Sequence, residues 1–130
     1  MTEVQKALES ALDAWKAFDR DAYAAAFAPR FTCVHPFGTD TMADDVRKHV
    51  DDTKKFWSKC DYRIEKVVGD DQHGAVHYVV SMTRRDADDS VDVPITSMLD
   101  IEDGLITYWL EVFDSVPMRK ALKQGQEAGS

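Results

Sequence analysis

Apolar positions change their spacing once along this chain, near Lys59, dividing it into a helical half and a sheet half. Val4, Leu8, Ala11, Trp15 and Phe18 recur three or four residues apart, which predicts an amphipathic helix over 3–18. Asp19-Arg-Asp21 interrupts that stripe. Asp21 is placed to cap a short second helix on which Tyr23 and Phe27 share a face, and Pro29 ends it. Phe31 to His35 reads as a short strand, and Pro36 with Gly38 as a turn. A third helix is expected over about 41–57, its inner face marked by Met42, Val46, His49 or Val50, Thr53 and Phe56 or Trp57.

Beyond Lys59 the period becomes two. Tyr62, Ile64 and Val67-Val68 form one strand, followed by the turn-rich Gly69-Asp-Asp-Gln-His-Gly74. Ala75 to Thr83 is a second strand, with His77 and Ser81 on one face and Tyr78 and Met82 on the other. Val91, Val93, Ile95, Ser97, Leu99 and Ile101 alternate along a third. Asp103-Gly104 is a hairpin signal, and Leu105 to Phe113 is the last strand. Helices followed by consecutive antiparallel strands predict an α+β domain, with helices on one face of a curved sheet and a concavity suited to a small ligand. The expected organisation is one domain over 1–122, with a polar, disordered tail over 123–130.

Composition narrows the partners. With 24 Asp and Glu against 16 Lys and Arg, the net charge is −8, which repels phosphate backbones and anionic membrane surfaces. No stretch approaches a membrane span and the start is not that of a signal peptide, so a cytoplasmic protein is expected. Cys33 and Cys60 fit no metal spacing and read as buried free thiols. The four histidines show no zinc spacing, and Asp86, Asp88 and Asp89 read as a solvated loop, so no metal is expected. Neither a phosphate-cradling glycine loop nor a nucleophile elbow is present.

Three stretches carry a resemblance: Phe18-Asp-x-Asp-Ala-x-x-Ala-x-Phe-Ala-Pro29, Val34-His-Pro-Phe-Gly38, and Asp103-Gly-x-Ile106 leading to Trp109-x-Glu-x-Phe-Asp114. With the order of elements, they resemble the SnoaL-like branch of the nuclear transport factor 2-like superfamily, from about Val4 to Asp114. That group includes ketosteroid isomerases, limonene epoxide hydrolases and scytalone dehydratases. The resemblance implies a cone-shaped half-barrel, a mostly antiparallel cystatin-like sheet, a pocket for a small hydrophobic molecule, and a homodimer formed through the sheet's outer face.

His35 stands where ketosteroid isomerases place an Asp base, and a histidine there retains the capacity for proton transfer. The competing reading is a structural histidine whose nitrogens are satisfied by backbone or by Asp114. Asp114 resembles the final-strand Asp that acts as acid or base in SnoaL-like cyclases; it also suits a capping role in the turn Ser115-Val-Pro117. Glu111 shares a face with Trp109 and Phe113, and alternation alone does not say whether that face looks into the pocket. Trp15, Tyr23, Phe27, Phe37, Phe56, Trp57 and Tyr78 are candidate pocket walls; aromatics at such spacing also serve as plain core.

The epoxide hydrolases' Arg-x-Asp pair has no counterpart between Gly74 and Thr83. The isomerases' first-helix tyrosine falls near Ala11 or Leu12. The expected function is therefore cofactor-free acid/base chemistry (isomerisation, dehydration or cyclisation) on a hydrophobic molecule, with His35 and Asp114 as the catalytic pair. The alternative is a non-catalytic ligand-binding or dimerisation module of the same fold.

Overall fold

The computed structural model describes residues 1–128, with side chains through Lys123. Helices α1 (Glu3–Lys16) and α2 (Arg20–Ala25) lead into β1 (Phe27–His35) and β2 (Gly38–Asp40). Then come α3 (Ala43–Phe56), β3 (Trp57–Gly69), β4 (His73–Arg84), β5 (Ser90–Glu102), β6 (Leu105–Val112) and α4 (Val116–Ala128). The strands form one curved, unclosed mixed sheet in the order β2-β1-β6-β5-β4-β3. Neighbours are antiparallel except β1 and β6, which run parallel. This is the expected α+β architecture.

The stripe of α1 buries Val4, Leu8, Ala11, Leu12 and Trp15 together with the inward residues of β4 and β5. On β4 these are Val76, Tyr78, Val80 and Met82; on β5, Val93, Ile95, Ser97, Leu99 and Ile101. Period-two alternation in the sequence is thus realised as one face in the core and the other outside. Asp103 and Gly104 both take positive φ (53° and 77°), as a two-residue turn that matches strand twist requires.

Alternation is broken in β6, and the break decides the site. Ile106 is fully buried, so strict alternation would send Tyr108, Leu110 and Val112 inward. The register between β5 and β6 instead shifts between Asp100 and Ile101, which pair with Tyr108 and Ile106 and leave Thr107 as an extra residue. Its hydroxyl donates to the Asp100 carbonyl at 3.1 Å. Downstream of the bulge the phase inverts: Trp109 is buried and Glu111 and Phe113 turn inward, while Val112 is exposed.

Several local expectations are corrected. Helix α1 stops at Lys16 in a left-handed turn at Phe18 (φ 56°), with Asp19 N–H bonded to Ala14 C=O at 2.9 Å and Phe18 N–H to Trp15 C=O at 3.0 Å. Asp19 rather than Asp21 then caps α2, its carboxylate accepting the Ala22 N–H at 3.1 Å. Pro29 does not end a helix: β1 already begins at Phe27. The proline sits where the β1–β6 register shifts between Phe27 and Thr32, so its missing N–H interrupts no ladder.

The short strand β2 and helix α4 were not expected. Residues 123–128, assigned from sequence to a polar tail, continue α4, and residues 129–130 lie outside the described ones. Arg84, largely buried at the end of β4, ties α4 to the sheet by donating to the Ala121 carbonyl at 2.9 Å. Among the described residues no helix is long and apolar enough to cross a membrane.

Candidate functional site

The sheet curves around α1, and α3 and α4 cover its open side. Between them lies a cavity of about 500 Å³. Trp15 on α1, Trp57 on β3, Tyr78 on β4 and Phe37 after β1 line it, as do His35 and Glu111. Of the residues singled out from sequence, Asp114 is not on this wall. It is exposed, and its carboxylate accepts the Val116 N–H at 3.0 Å, capping the start of α4. The expected His35–Asp114 pair is not formed. Asp114→Ala should cost about 0.5–1 kcal/mol of stability by denaturant unfolding and leave ligand affinity unchanged by titration.

The partner of His35 is Asp40, which the short β2 hairpin brings beneath it: His35 pairs with Gly38 across β1 and β2, and Cys33 with Asp40. His35 Nε2 lies 3.1 Å from Asp40 Oδ2, and the Phe37 backbone N–H reaches His35 Nδ1 at 3.2 Å. A backbone N–H can only donate, so Nδ1 is the acceptor and the ring proton sits on Nε2, donated to Asp40. Both ring nitrogens are therefore engaged. His35 orients a carboxylate; it has no free lone pair to receive a proton from a ligand.

Glu111 is the unsatisfied group. Its carboxyl faces the cavity with no hydrogen bond to any described residue. Burial, and secondarily the negative charge of Asp40, raise its pKa from 4.5 to about 7. Two further groups on the wall, His49 and Asp40, were not identified from the sequence as site residues, whereas Tyr23 was among the aromatics weighed as pocket walls.

Tyr23, on α2, is 3% exposed and packs against Phe27 (ring centroids 5.5 Å apart), Trp109 (6.3 Å) and His49 (6.0 Å). Its hydroxyl has no hydrogen-bond partner among the described residues. Burial, then the Glu111 charge, hold its pKa well above the usual phenol range. His49 sits 6.1 Å ring to ring from His35, and burial followed by His35 lowers its pKa. The signal for Asp40 lay in a strand too short to show a period.

The floor of the cavity is rigid. Ser97 Oγ, fully buried, accepts the Trp109 indole N–H at 2.9 Å and lies 2.8 Å from the Tyr78 hydroxyl. This ties β4, β5 and β6 together beneath the ligand space and holds the Tyr78 and Trp109 rings in place. At the rim, Lys48 is paired with Asp52 at 2.7 Å, and the Arg119 guanidinium stands 5.5 Å from the Phe37 ring centroid. Cys33 and Cys60 are free and buried; burial raises both thiols, Cys60 to about 12, so neither is poised as a nucleophile. Among the described residues no three His, Cys, Asp or Glu side chains group as metal ligands.

Comparisons with known proteins bear on the fold. No curated protein matches the sequence. Among solved structures, a protein with a ketosteroid isomerase-like fold from Catenulispora acidiphila, in complex with trimethylamine, superposes with TM-score 0.76 at 19% identity, covering 85% of this chain and 87% of that one. An LEH-like epoxide hydrolase from M. tuberculosis gives 0.73 at 20% identity over 97% and 93%. An NTF2-like protein from Burkholderia pseudomallei gives 0.78 at 16% identity over 93% and 98%. At these identities the likeness is one of fold. The model of the SnoaL-like domain matches residues 8–109, most of the sequence, and the chain belongs to that family.

Proposed function

We propose that the cavity carries out acid/base chemistry on a small hydrophobic molecule, with Glu111 as the group that exchanges the proton. The observation that supports this is the Glu111 carboxyl itself, half-buried on the cavity wall, without a hydrogen-bond partner among the described residues and with its pKa raised to about 7, where acid and base forms are both populated at neutral pH. Asp40, oriented by His35 Nε2–H, is the second carboxylate, and the Tyr23 hydroxyl is a donor for an oxygen that gains charge. The aromatic wall supplies the affinity for an apolar body. His35 and Asp114 thus leave the reacting positions expected from sequence: the first positions Asp40, and the second caps α4.

The test is carbon–proton exchange in D₂O, followed by NMR on a panel of cyclic enones, β-diketones and 2-hydroxyketones. Wild type is expected to exchange at least one of them, and Glu111→Gln to slow that exchange on the order of 100-fold or more. Equal rates in the two proteins, or no exchange of any compound by wild type, contradict the acid/base role. The second reading, a binding module without a reaction, is favoured by one observation: both nitrogens of His35 are already engaged.

A homodimer through the outer sheet face belongs to the same proposal. Exposed Met98 and Val112 lie beside Leu110 there. Sedimentation of wild type as a dimer and of Met98→Glu as a monomer is the expected result.

A further inference from the structure

The charge inside the cavity is one-sided. Asp40 and Glu111 present carboxyls to its interior, and no Lys or Arg is paired with either among the described residues. The histidines do not balance them: His35 donates a single proton to Asp40, and burial disfavours the charged form of His49. The two cations on the wall stand at the rim, Lys48 held by Asp52 and Arg119 over Phe37. Around Glu111 stand the rings of Tyr23, Tyr78 and Trp109, each at most 3% exposed. The Tyr23 side chain lines the cavity, and its hydroxyl has no hydrogen-bond partner among the described residues.

An acidic interior walled by aromatic faces suits one kind of guest. A carboxylate would meet Asp40 and Glu111 head-on, and a neutral molecule would leave their charge uncompensated. An ammonium group gains from both carboxyls and from the ring faces, and its N–H groups can fill the free Glu111 and Tyr23 acceptors.

We propose that the ligand of this cavity is a hydrophobic molecule bearing a protonated amine, whose ammonium head sits against Glu111 and the Tyr23 ring. This rests on the reading that the cavity is the ligand site, and it names the chemical class of ligand. The titratable groups that feel or share the charge at Glu111 are Asp40 on β2, Cys33 on β1, Tyr23 on α2 and Tyr78 on β4. Because Glu111 must be ionised to pair with the amine, binding should release its proton and strengthen as pH rises.

The three tryptophans of the chain, Trp15, Trp57 and Trp109, all line the cavity, so their fluorescence reports occupancy. The probes are phenethylammonium, 2-phenylethanol and 3-phenylpropionate, which share an aromatic body and differ in head charge. At pH 8 the ammonium is expected to bind about 10-fold or more tighter than the alcohol, and the carboxylate weakest. At pH 5.5 the advantage should shrink to a few-fold, and in Glu111→Gln it should be no more than a few-fold at both pH values, the remainder coming from Asp40 and the rings. Tyr23→Phe, which keeps the ring and removes the hydroxyl, should weaken the ammonium alone.

The proposal is overturned if the alcohol or carboxylate binds as tightly as the amine at pH 8. It is equally overturned if the preference is undiminished in Glu111→Gln, or if no probe gives a saturable change. The two readings fail separately. Amine preference without carbon–proton exchange leaves the ligand class and removes the reaction, and exchange without amine preference does the reverse.

Discussion

Ser97→Ala is expected to lower the unfolding free energy by about 2–4 kcal/mol, although it removes a single oxygen. Ser97 is fully buried and its Oγ serves both the Trp109 indole N–H and the Tyr78 hydroxyl. Alanine would leave two polar groups unpaired in the core, each costing about 1–3 kcal/mol, in addition to the small void. Tyr78→Phe alone removes one group together with its need for a partner and should cost less. The double variant should therefore be less destabilised than the sum of the singles, since a phenylalanine at the tyrosine's place has no hydroxyl left to satisfy once the serine oxygen is gone. Urea unfolding of the four proteins checks this, and additive costs would mean the three side chains do not act as a unit.

Glu111→Gln is expected to change the pH dependence of stability more than any other substitution on the cavity wall. The folded pKa of Glu111 is raised from 4.5 to about 7, so its contribution to stability is fully present below about pH 4.5 and is lost as pH rises through about 7. In that window the native protein keeps a proton that the unfolded chain has released, and the native state is increasingly disfavoured as the carboxyl is forced to ionise in place. Glutamine cannot ionise. The variant and wild type should differ by a constant amount below pH 4.5, and the variant should gain on wild type by up to about 3 kcal/mol by pH 8. Equal pH profiles would place Glu111 in ordinary contact with water.

Most of the architecture was legible because burial imposes period on sequence. The α1 stripe and the alternation of β4 and β5 each point one face inward, and the Asp103-Gly104 turn names its own geometry. What was not legible depends on single irregularities. The inward phase of Glu111 follows from one extra residue at Thr107, and a bulge has no period of its own.

Asp40 enters the site through a three-residue strand, too short to alternate. Helix α4 had a readable start in the capping carboxylate of Asp114 and Pro117 in the first turn, with Met118, Ala121 and Leu122 following at helical spacing. A turn reading of the same residues accounted for Asp and Pro without needing a helix. His35 lies on the cavity wall, but the backbone N–H of Phe37, which occupies its lone pair, is a property of the tight turn and not of any side chain.

The most direct measurement is a pH titration of side-chain carboxyl carbons by ¹³C NMR, with the Glu111 resonance assigned by its absence from Glu111→Gln. A midpoint near 7 is expected, well above that of an ordinary glutamate, because burial and the Asp40 charge disfavour the ionised form. A midpoint near 4.5 would mean that Glu111 is well hydrated, and would remove the proposed acid/base role.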